Sequence, residues 1–126
     1  MTGGCMCGAV RISVDDPPRR GGICHCLDCR KSLGALFNTF ATFARDAVTV
    51  TGATRAWTGG ASGQERHFCG TCGSPLFALQ GDELELFVGC LDAPDAAPPP
   101  TYELWRRRRE AWLPRLELTS YDEDRG

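Results

Sequence analysis

The sequence lacks the features that would place it in a membrane, in an export pathway or on a nucleic acid. No stretch reaches the roughly 18 apolar residues that a membrane-spanning helix requires. The first eight residues, MTGGCMCG, contain neither the basic part nor the apolar part of an export signal. The formal net charge is only −2, which gives no strong field to attract a polyanion or an anionic membrane. We therefore expect a cytoplasmic protein without a membrane partner.

The size and composition are those of one small globular unit. A length of 126 residues favours a single domain, 1–126, around one core. Hydrophobic residues make up 42% and charged residues 24% of the chain, which argues against intrinsic disorder. Fifteen glycines and eight prolines favour short strands and turns over long helices.

The residue pattern also favours strands. Alternating apolar residues and clusters of aromatic or β-branched residues predict strands at 9–14, 36–43, 48–50 and 84–88. Only the segment 28–33 resembles a helical turn. The prolines at 98–100 cannot lie inside a helix or a central strand, so we expect an extended connection into the segment 102–118. The prediction is a mainly β fold with few short helical turns.

Eight cysteines are the most informative feature of the sequence. In a reducing cytosol such a number favours metal ligands over disulfides, although disulfides remain the alternative. Cysteines one or two residues apart would form strained disulfides, whereas both can direct sulfur to one ion across a tight turn. The close groups are Cys5 and Cys7; Cys24, Cys26 and Cys29; and Cys69 and Cys72, while Cys90 stands alone.

The outer two pairs suit a closed structural zinc site. Cys5, Cys7, Cys69 and Cys72 would supply four thiolates and join the start of the chain to its middle. Glycines beside the second pair allow a sharp turn in which backbone N–H groups approach the sulfurs.

The middle triplet, Cys24, Cys26 and Cys29, leaves a tetrahedral zinc one ligand short. Catalytic zinc sites keep such a position for water or substrate. Closure by Cys90, His25 or His67 is the alternative, with Cys90 the leading candidate.

Three thiolates make zinc a weak Lewis acid but suit it to a soft ligand, so the triplet favours a thiol substrate. If that thiol carries carboxylates, Arg30 and Arg66 are candidates to orient it. A proton could reach the product through water, His25 or Asp28.

A binding module is the competing hypothesis. The run Arg106–Arg109, between Trp105 and Trp112, could grip a nucleic acid or a protein. The negative net charge and the flanking glutamates favour instead a solvated strand or helix face with packed tryptophans.

In order and spacing, four motifs resemble the glutathione-dependent formaldehyde-activating enzyme family, which also includes centromere protein V. They are GCMCG at 4–8, CHCLDCR at 24–30, FCGTCGS at 68–74 and GCLD at 89–92. The resemblance implies a β-tent fold of small antiparallel sheets, a structural zinc on the outer cysteine pairs and a catalytic zinc on the triplet. The implied activity is that of a carbon–sulfur lyase that joins glutathione to formaldehyde as S-hydroxymethylglutathione. Two zinc ions per chain are therefore expected.

Overall fold

The computed structural model describes residues 1–93 and 95–125, which contain eleven short strands in two sheets and one α-helix. The strands are β1 (Thr2–Gly4), β2 (Arg11–Val14), β3 (Arg20–Cys24), β4 (Asn38–Ala44), β5 (Val48–Thr51), β6 (Thr54–Thr58), β7 (Glu65–Cys69), β8 (Pro75–Gln80), β9 (Glu83–Phe87), β10 (Tyr102–Leu104) and β11 (Thr119–Ser120). The helix is α1 (Leu27–Leu33), and 3-10 turns lie at Arg45–Ala47, Val88–Cys90 and Arg106–Arg108. The prediction of a mainly β fold with few short helical turns is confirmed.

The two sheets differ in size and in strand direction. The smaller sheet has the order β1–β2–β5 and is antiparallel. The larger sheet has the order β11–β10–β3–β4–β9–β8–β7–β6. Its pairs are antiparallel except at one edge, where β10 runs parallel to both β3 and β11. Strand β10 thereby brings a distant part of the chain beside β3, which ends at Cys24.

One face of the larger sheet, here called the core face, packs against the smaller sheet. Phe43, Leu84 and Leu86 project from it and are at most 3% exposed. They pack with Ile12 and Val14 of β2 in the main hydrophobic cluster. Burial of each such side chain stabilises a fold by about 1.5 to 3 kcal/mol. This cluster therefore contributes to the stability of the packing between the two sheets.

The opposite face, here called the site face, carries sulfur and polar side chains. Side chains alternate along a strand, and directly paired residues of neighbouring strands share a face. The register pairs Cys24 with Asn38 and Thr42 with Glu85, which places all four on the site face. The alternation in β9 therefore gives its leucines to the core and Glu85 to the site face.

Both ends of helix α1 are capped by residues suited to that position, Cys26 at the start and Gly34 at the end. The Cys26 sulfur accepts the backbone N–H of Cys29 at 3.3 Å, as a helix N-cap does. At the other end, Gly34 takes the left-handed conformation with φ 61° and donates its N–H to the carbonyl of Arg30. The helical turn predicted at 28–33 is confirmed, with one residue more at its start.

The residues Arg106–Arg108 are exposed, as predicted for a solvated segment, but they form a 3-10 turn rather than a strand or an α-helix face. Trp105 has φ 56° and turns the chain into a 3-10 turn. Trp112 is 70% exposed, so the prediction that it packs is wrong. Three of the arginines form ion pairs with acidic side chains: Arg106 with Asp122, Arg107 with Glu123 and Arg109 with Glu103.

Within the described residues, no helix combines the length and the apolar character needed to cross a bilayer.

Candidate metal centres and the cavity beside them

The outer cysteine pairs come together as one group. Cys5 and Cys7 lie in the turn between β1 and β2, and Cys69 and Cys72 lie where β7 turns towards β8. Their four Sγ atoms all lie within 4.8 Å of one another. The Sγ of Cys7 is 3.6 Å from that of Cys5 and 3.8 Å from that of Cys69. The structure thus assembles the predicted four-thiol group from two chain segments far apart in sequence.

Polar groups around these sulfurs favour the thiolate form that a metal requires. The backbone N–H of Val10 donates to Cys5 Sγ at 3.2 Å and lowers the pKa of Cys5. The Ser74 hydroxyl lies 3.1 Å from Cys72 Sγ and helps lower the pKa of Cys72 to about 5. Gly73, with φ 78°, provides the left-handed turn that a residue with a side chain would strain.

The triplet also assembles, where β3 meets α1. Cys24 ends β3, Cys26 caps α1, and Cys29 lies in its first turn, with the three Sγ atoms within 4.8 Å of one another. Hydrogen bonds from the Cys24 and Cys29 thiols lower the pKa of Cys26 to about 2, whereas hydrogen bonding with Cys26 and burial raise the pKa of Cys24. One negative charge is therefore concentrated in a largely buried group of sulfurs, which favours a bound cation.

None of the three proposed closing ligands joins this triplet. Cys90 packs against the core, and its Sγ lies 4.0 Å from the carbonyl oxygen of Leu76. His25 Nε2 lies 3.0 Å from a Glu103 carboxylate oxygen. His67 contacts Thr54 and Glu65 through its two ring nitrogens. In the residues that the structure describes, the triplet group therefore contains three sulfurs and no fourth ligand.

A cavity of about 480 Å³, here called the triplet cavity, opens beside the three sulfurs. Its apolar wall includes Phe40 and Tyr102, whose rings lie edge to face with centroids 5.9 Å apart. Its polar wall includes three arginines and two carboxylates, namely Arg20, Arg66, Arg125, Glu85 and Asp124. Sulfur, cations and carboxylates therefore line one cavity that is open to solvent on one side.

The Arg66 side chain is buried in this wall, with only 7% of the residue exposed, and hydrogen bonds hold it in place. It donates to Ser32 Oγ at 3.0 Å and to Gln64 Oε1 at 3.2 Å, and it lies 6.0 Å from the centre of the Phe87 ring. Arg20 instead donates to Glu83 at 2.8 Å. Of these two guanidiniums, Arg66 has no carboxylate partner within the described part of the chain. It is therefore the better placed to bind an anion.

Glu85 is a site residue that the sequence-based prediction missed. Its side chain lines the triplet cavity, and burial raises its pKa to about 7, partly opposed by the charge of Arg66. A carboxyl group with this pKa can both take up and release a proton at neutral pH. The available signal was a charged residue between two leucines of β9.

Three other residues predicted for the site form their hydrogen bonds outside the triplet cavity. Arg30 donates to the carbonyl oxygen of Arg108 at 3.0 Å and pairs with Glu110. Asp28 accepts the backbone N–H of Ser62 at 3.0 Å, which lowers its pKa and holds a loop at the cavity edge. His25 is 2% exposed, and burial lowers its pKa. The described cavity wall includes none of these three residues.

Both cysteine groups fit zinc by their chemistry. Each offers only sulfur, the ligand that zinc takes in structural sites and that a hard cation such as Mg²⁺ avoids. Those thiols that are protonated would have to lose their protons to bind zinc, so zinc loading would release protons.

The fold and the two groups define a β protein equipped to hold two metal ions, one enclosed by four sulfurs and one held by three. A family model described as "Glutathione-dependent formaldehyde-activating enzyme" matches residues 1–108, and the chain belongs to that family.

Individual proteins also resemble the chain. A protein of Halomonas elongata named "Putative glutathione-dependent formaldehyde-activating enzyme" is 31% identical over 136 residues, covering 99% of this chain and 85% of the relative. A crystal structure of a Rhodobacter sphaeroides protein matches with a TM-score of 0.62 and 27% identity. That match covers 76% of this chain and 92% of the solved one, which supports the fold described above.

Proposed function

We propose that the protein is a cytoplasmic, zinc-dependent carbon–sulfur lyase that joins a thiol, glutathione first, to formaldehyde or another small aldehyde. Residues 1–126 would form one domain with two zinc ions. Cys5, Cys7, Cys69 and Cys72 would hold the structural ion, and Cys24, Cys26 and Cys29 the catalytic one. The observation that carries the proposal is a group of three sulfurs that faces a cavity containing both a buried arginine and a carboxyl group of raised pKa.

The residues of the cavity fit addition of a thiol to a carbonyl. A zinc ion held by the triplet would supply charge that lowers the pKa of an incoming thiol. Arg66 would orient a carboxylate of that thiol through charge-assisted hydrogen bonds. Phe40 and Tyr102 would limit water around the small aldehyde.

Glu85 is the group best placed to move the proton. In the synthetic direction the sulfur–carbon bond forms while the carbonyl π bond breaks and its electron pair goes to oxygen. Glu85 would take the proton of the thiol and return it to that oxygen, so the protein ends each turnover in its starting protonation state. The reverse sequence releases the aldehyde and the thiol. Arg30, whose contacts lie outside the cavity, would act on the position of α1 rather than on substrate.

Exchange NMR provides the test, because it separates enzyme-dependent formation of S-hydroxymethylglutathione from the spontaneous reaction. We expect the native protein to raise the exchange rate and Cys26→Ser to abolish that increase. Cys90→Ser is the matched control, since Cys90 lies outside the triplet, and it should retain the increase. No acceleration by zinc-loaded native protein, with any thiol and small aldehyde, would refute the proposal.

The competing hypothesis of a binding module based on Arg106–Arg109 gains no support from the structure. Three of these four arginines form ion pairs with acidic side chains of the same chain, which neutralise most of the charge that a polyanion would need.

A further inference from the structure

The segment after β11 forms part of the triplet cavity. Asp124 and Arg125 both line it, on the side of Tyr102 and Leu104. These residues lie outside the 1–108 stretch that the family model matches. The family match therefore says nothing about what this part of the wall does.

Backbone hydrogen bonds hold this segment against the chain near β10. The N–H of Tyr121 donates to the carbonyl of Glu103, that of Trp105 to the carbonyl of Glu123, and that of Arg106 to the carbonyl of Tyr121, all at 3.0 Å. A segment with this much main-chain bonding has a defined position. The place of its last residues at the cavity is thus built into the fold.

Side chains of the arginine run secure the same segment. Arg106 Nε lies 2.6 Å from an Asp122 oxygen, and Arg107 lies 2.6 Å from Glu123. Trp105 Nε1 donates to Asp124 Oδ1 at 2.9 Å. This hydrogen bond engages the carboxylate of the residue next to Arg125. The run that suggested nucleic acid in the sequence thus serves to fix the cavity wall.

Arg125 itself presents a charge to the cavity. Its guanidinium carbon lies 5.5 Å from the centre of the Tyr102 ring, a cation–π arrangement that favours this orientation. Arg20 also approaches Tyr102 but is paired with Glu83. Within residues 1–93 and 95–125, Arg125 forms no ion pair. Its positive charge is therefore free to act on a ligand.

We propose that Arg125 is a specificity-determining residue that binds a carboxylate of the thiol substrate and makes the site favour anionic over neutral thiols. The inference rests on the proposed function. A thiol with its sulfur towards the triplet would have its carboxylates within the same cavity as the buried Arg66 and the rim residue Arg125, two cations that form no ion pair with the residues that the structure describes. Arginine binds a carboxylate through two parallel N–H bonds, so replacement by lysine should preserve the charge and lose part of the geometry.

Enzyme kinetics with two thiols test this role. With formaldehyde fixed, Arg125→Gln should raise KM for glutathione about five- to tenfold and leave KM for the neutral thiol 2-mercaptoethanol unchanged, as expected for the loss of one partly exposed charged contact. Arg125→Lys should lie between Arg125→Gln and native protein. Arg115→Gln, an exposed arginine outside the described cavity wall, is the matched control and should change neither KM.

A binding measurement separates this inference from the proposed activity. S-methylglutathione keeps both carboxylates but has no thiol to react, so calorimetry on the zinc-loaded protein reports recognition alone. We expect its Kd to rise about five- to tenfold in Arg125→Gln and to stay unchanged in Arg115→Gln. Native protein that binds this probe but turns over no thiol would refute the activity and leave the role of Arg125 intact. Equal Kd values for Arg125→Gln and native protein, or equal losses with both thiols, would overturn the inference.

Discussion

Individual cysteines of the two groups should differ in what their loss does. Cys72→Ser should give insoluble or protease-sensitive protein, because the four-thiol group joins segments more than sixty residues apart. Structural zinc contributes an apparent free energy of about 10 to 16 kcal/mol, as large as the whole stability of a domain, about 5 to 15 kcal/mol. Cys26→Ser should remain folded, since serine can also cap α1, but should lose its second metal ion.

Limited proteolysis and metal analysis of the purified variants check this contrast. Cys90→Ser serves as the control and should match native protein in both. If Cys26→Ser and Cys72→Ser damaged folding equally, both groups would be structural and the proposed catalytic role of the triplet would fail.

The carboxyl group of Glu85 should dominate the pH dependence near neutrality. Because burial raises its pKa to about 7, the base form that accepts the thiol proton is lost as pH falls through that value. The enzyme-dependent kcat/KM should therefore decline below about pH 7 in native protein. Glu85→Gln should remove this decline, the acidic limb of the pH–rate profile, and lower the rate about 10² to 10⁴-fold.

Glu83→Gln on the same strand is the matched variant. Arg20 holds the pKa of the Glu83 carboxyl below its usual range, so its removal should leave the limb near pH 7 in place. A limb that persists unchanged in Glu85→Gln would contradict the proton-transfer role.

Among the structural elements, β10 depends on a buried charge network. Glu103 is 3% exposed and contacts Arg109, the Ser120 hydroxyl and His25. Glu103→Ala would leave the largely buried guanidinium of Arg109 without its partner, which costs about 3 to 5 kcal/mol. We expect this loss in the free energy of unfolding, measured in urea on the metal-loaded protein.

An exposed pair in the same region offers the comparison. Arg107 and Glu123 are both more than half exposed, so Arg107→Gln should cost about 1 kcal/mol or less. Equal losses in Glu103→Ala and Arg107→Gln would show that burial of the Glu103 network does not stabilise β10.

The strands that could be predicted are those with strong local patterns. The segment 84–88 is a strand at Glu83–Phe87, and 48–50 is a strand at Val48–Thr51, because alternation is a property of adjacent residues. The segment 9–14 becomes a strand only from Arg11, since the residues before it form the turn that carries Cys5 and Cys7.

The cysteine groups could also be anticipated, because short spacing keeps ligands together wherever the chain runs. The structure brings all seven clustered cysteines into the two predicted groups, whereas their role as zinc ligands stays a prediction. Apart from Arg66, which the sequence offered as a candidate, the cavity wall could not be predicted in the same way. Arg66, Glu85 and Arg125 meet only through the register of the larger sheet and the return of the chain after β11.

For the whole molecule, the two cysteine groups predict a metal content of two zinc ions per chain. Seven thiols divided as four and three leave no group able to hold a third ion of this kind within the described residues. Elemental analysis of protein purified without chelator should give close to two zinc ions per chain. One ion per chain, or none together with intact disulfides, would contradict the division.

The proposed activity depends on a zinc ion that the triplet holds with one position open to a substrate thiol. Zinc-edge anomalous diffraction from crystals grown with and without glutathione would show both the ion and that position. We predict one anomalous peak within each cysteine group, and new density for the glutathione sulfur next to the peak at Cys24, Cys26 and Cys29. A single peak at the four-thiol group, or a protein ligand such as Cys90 that stays on the triplet ion in excess glutathione, would contradict the proposal.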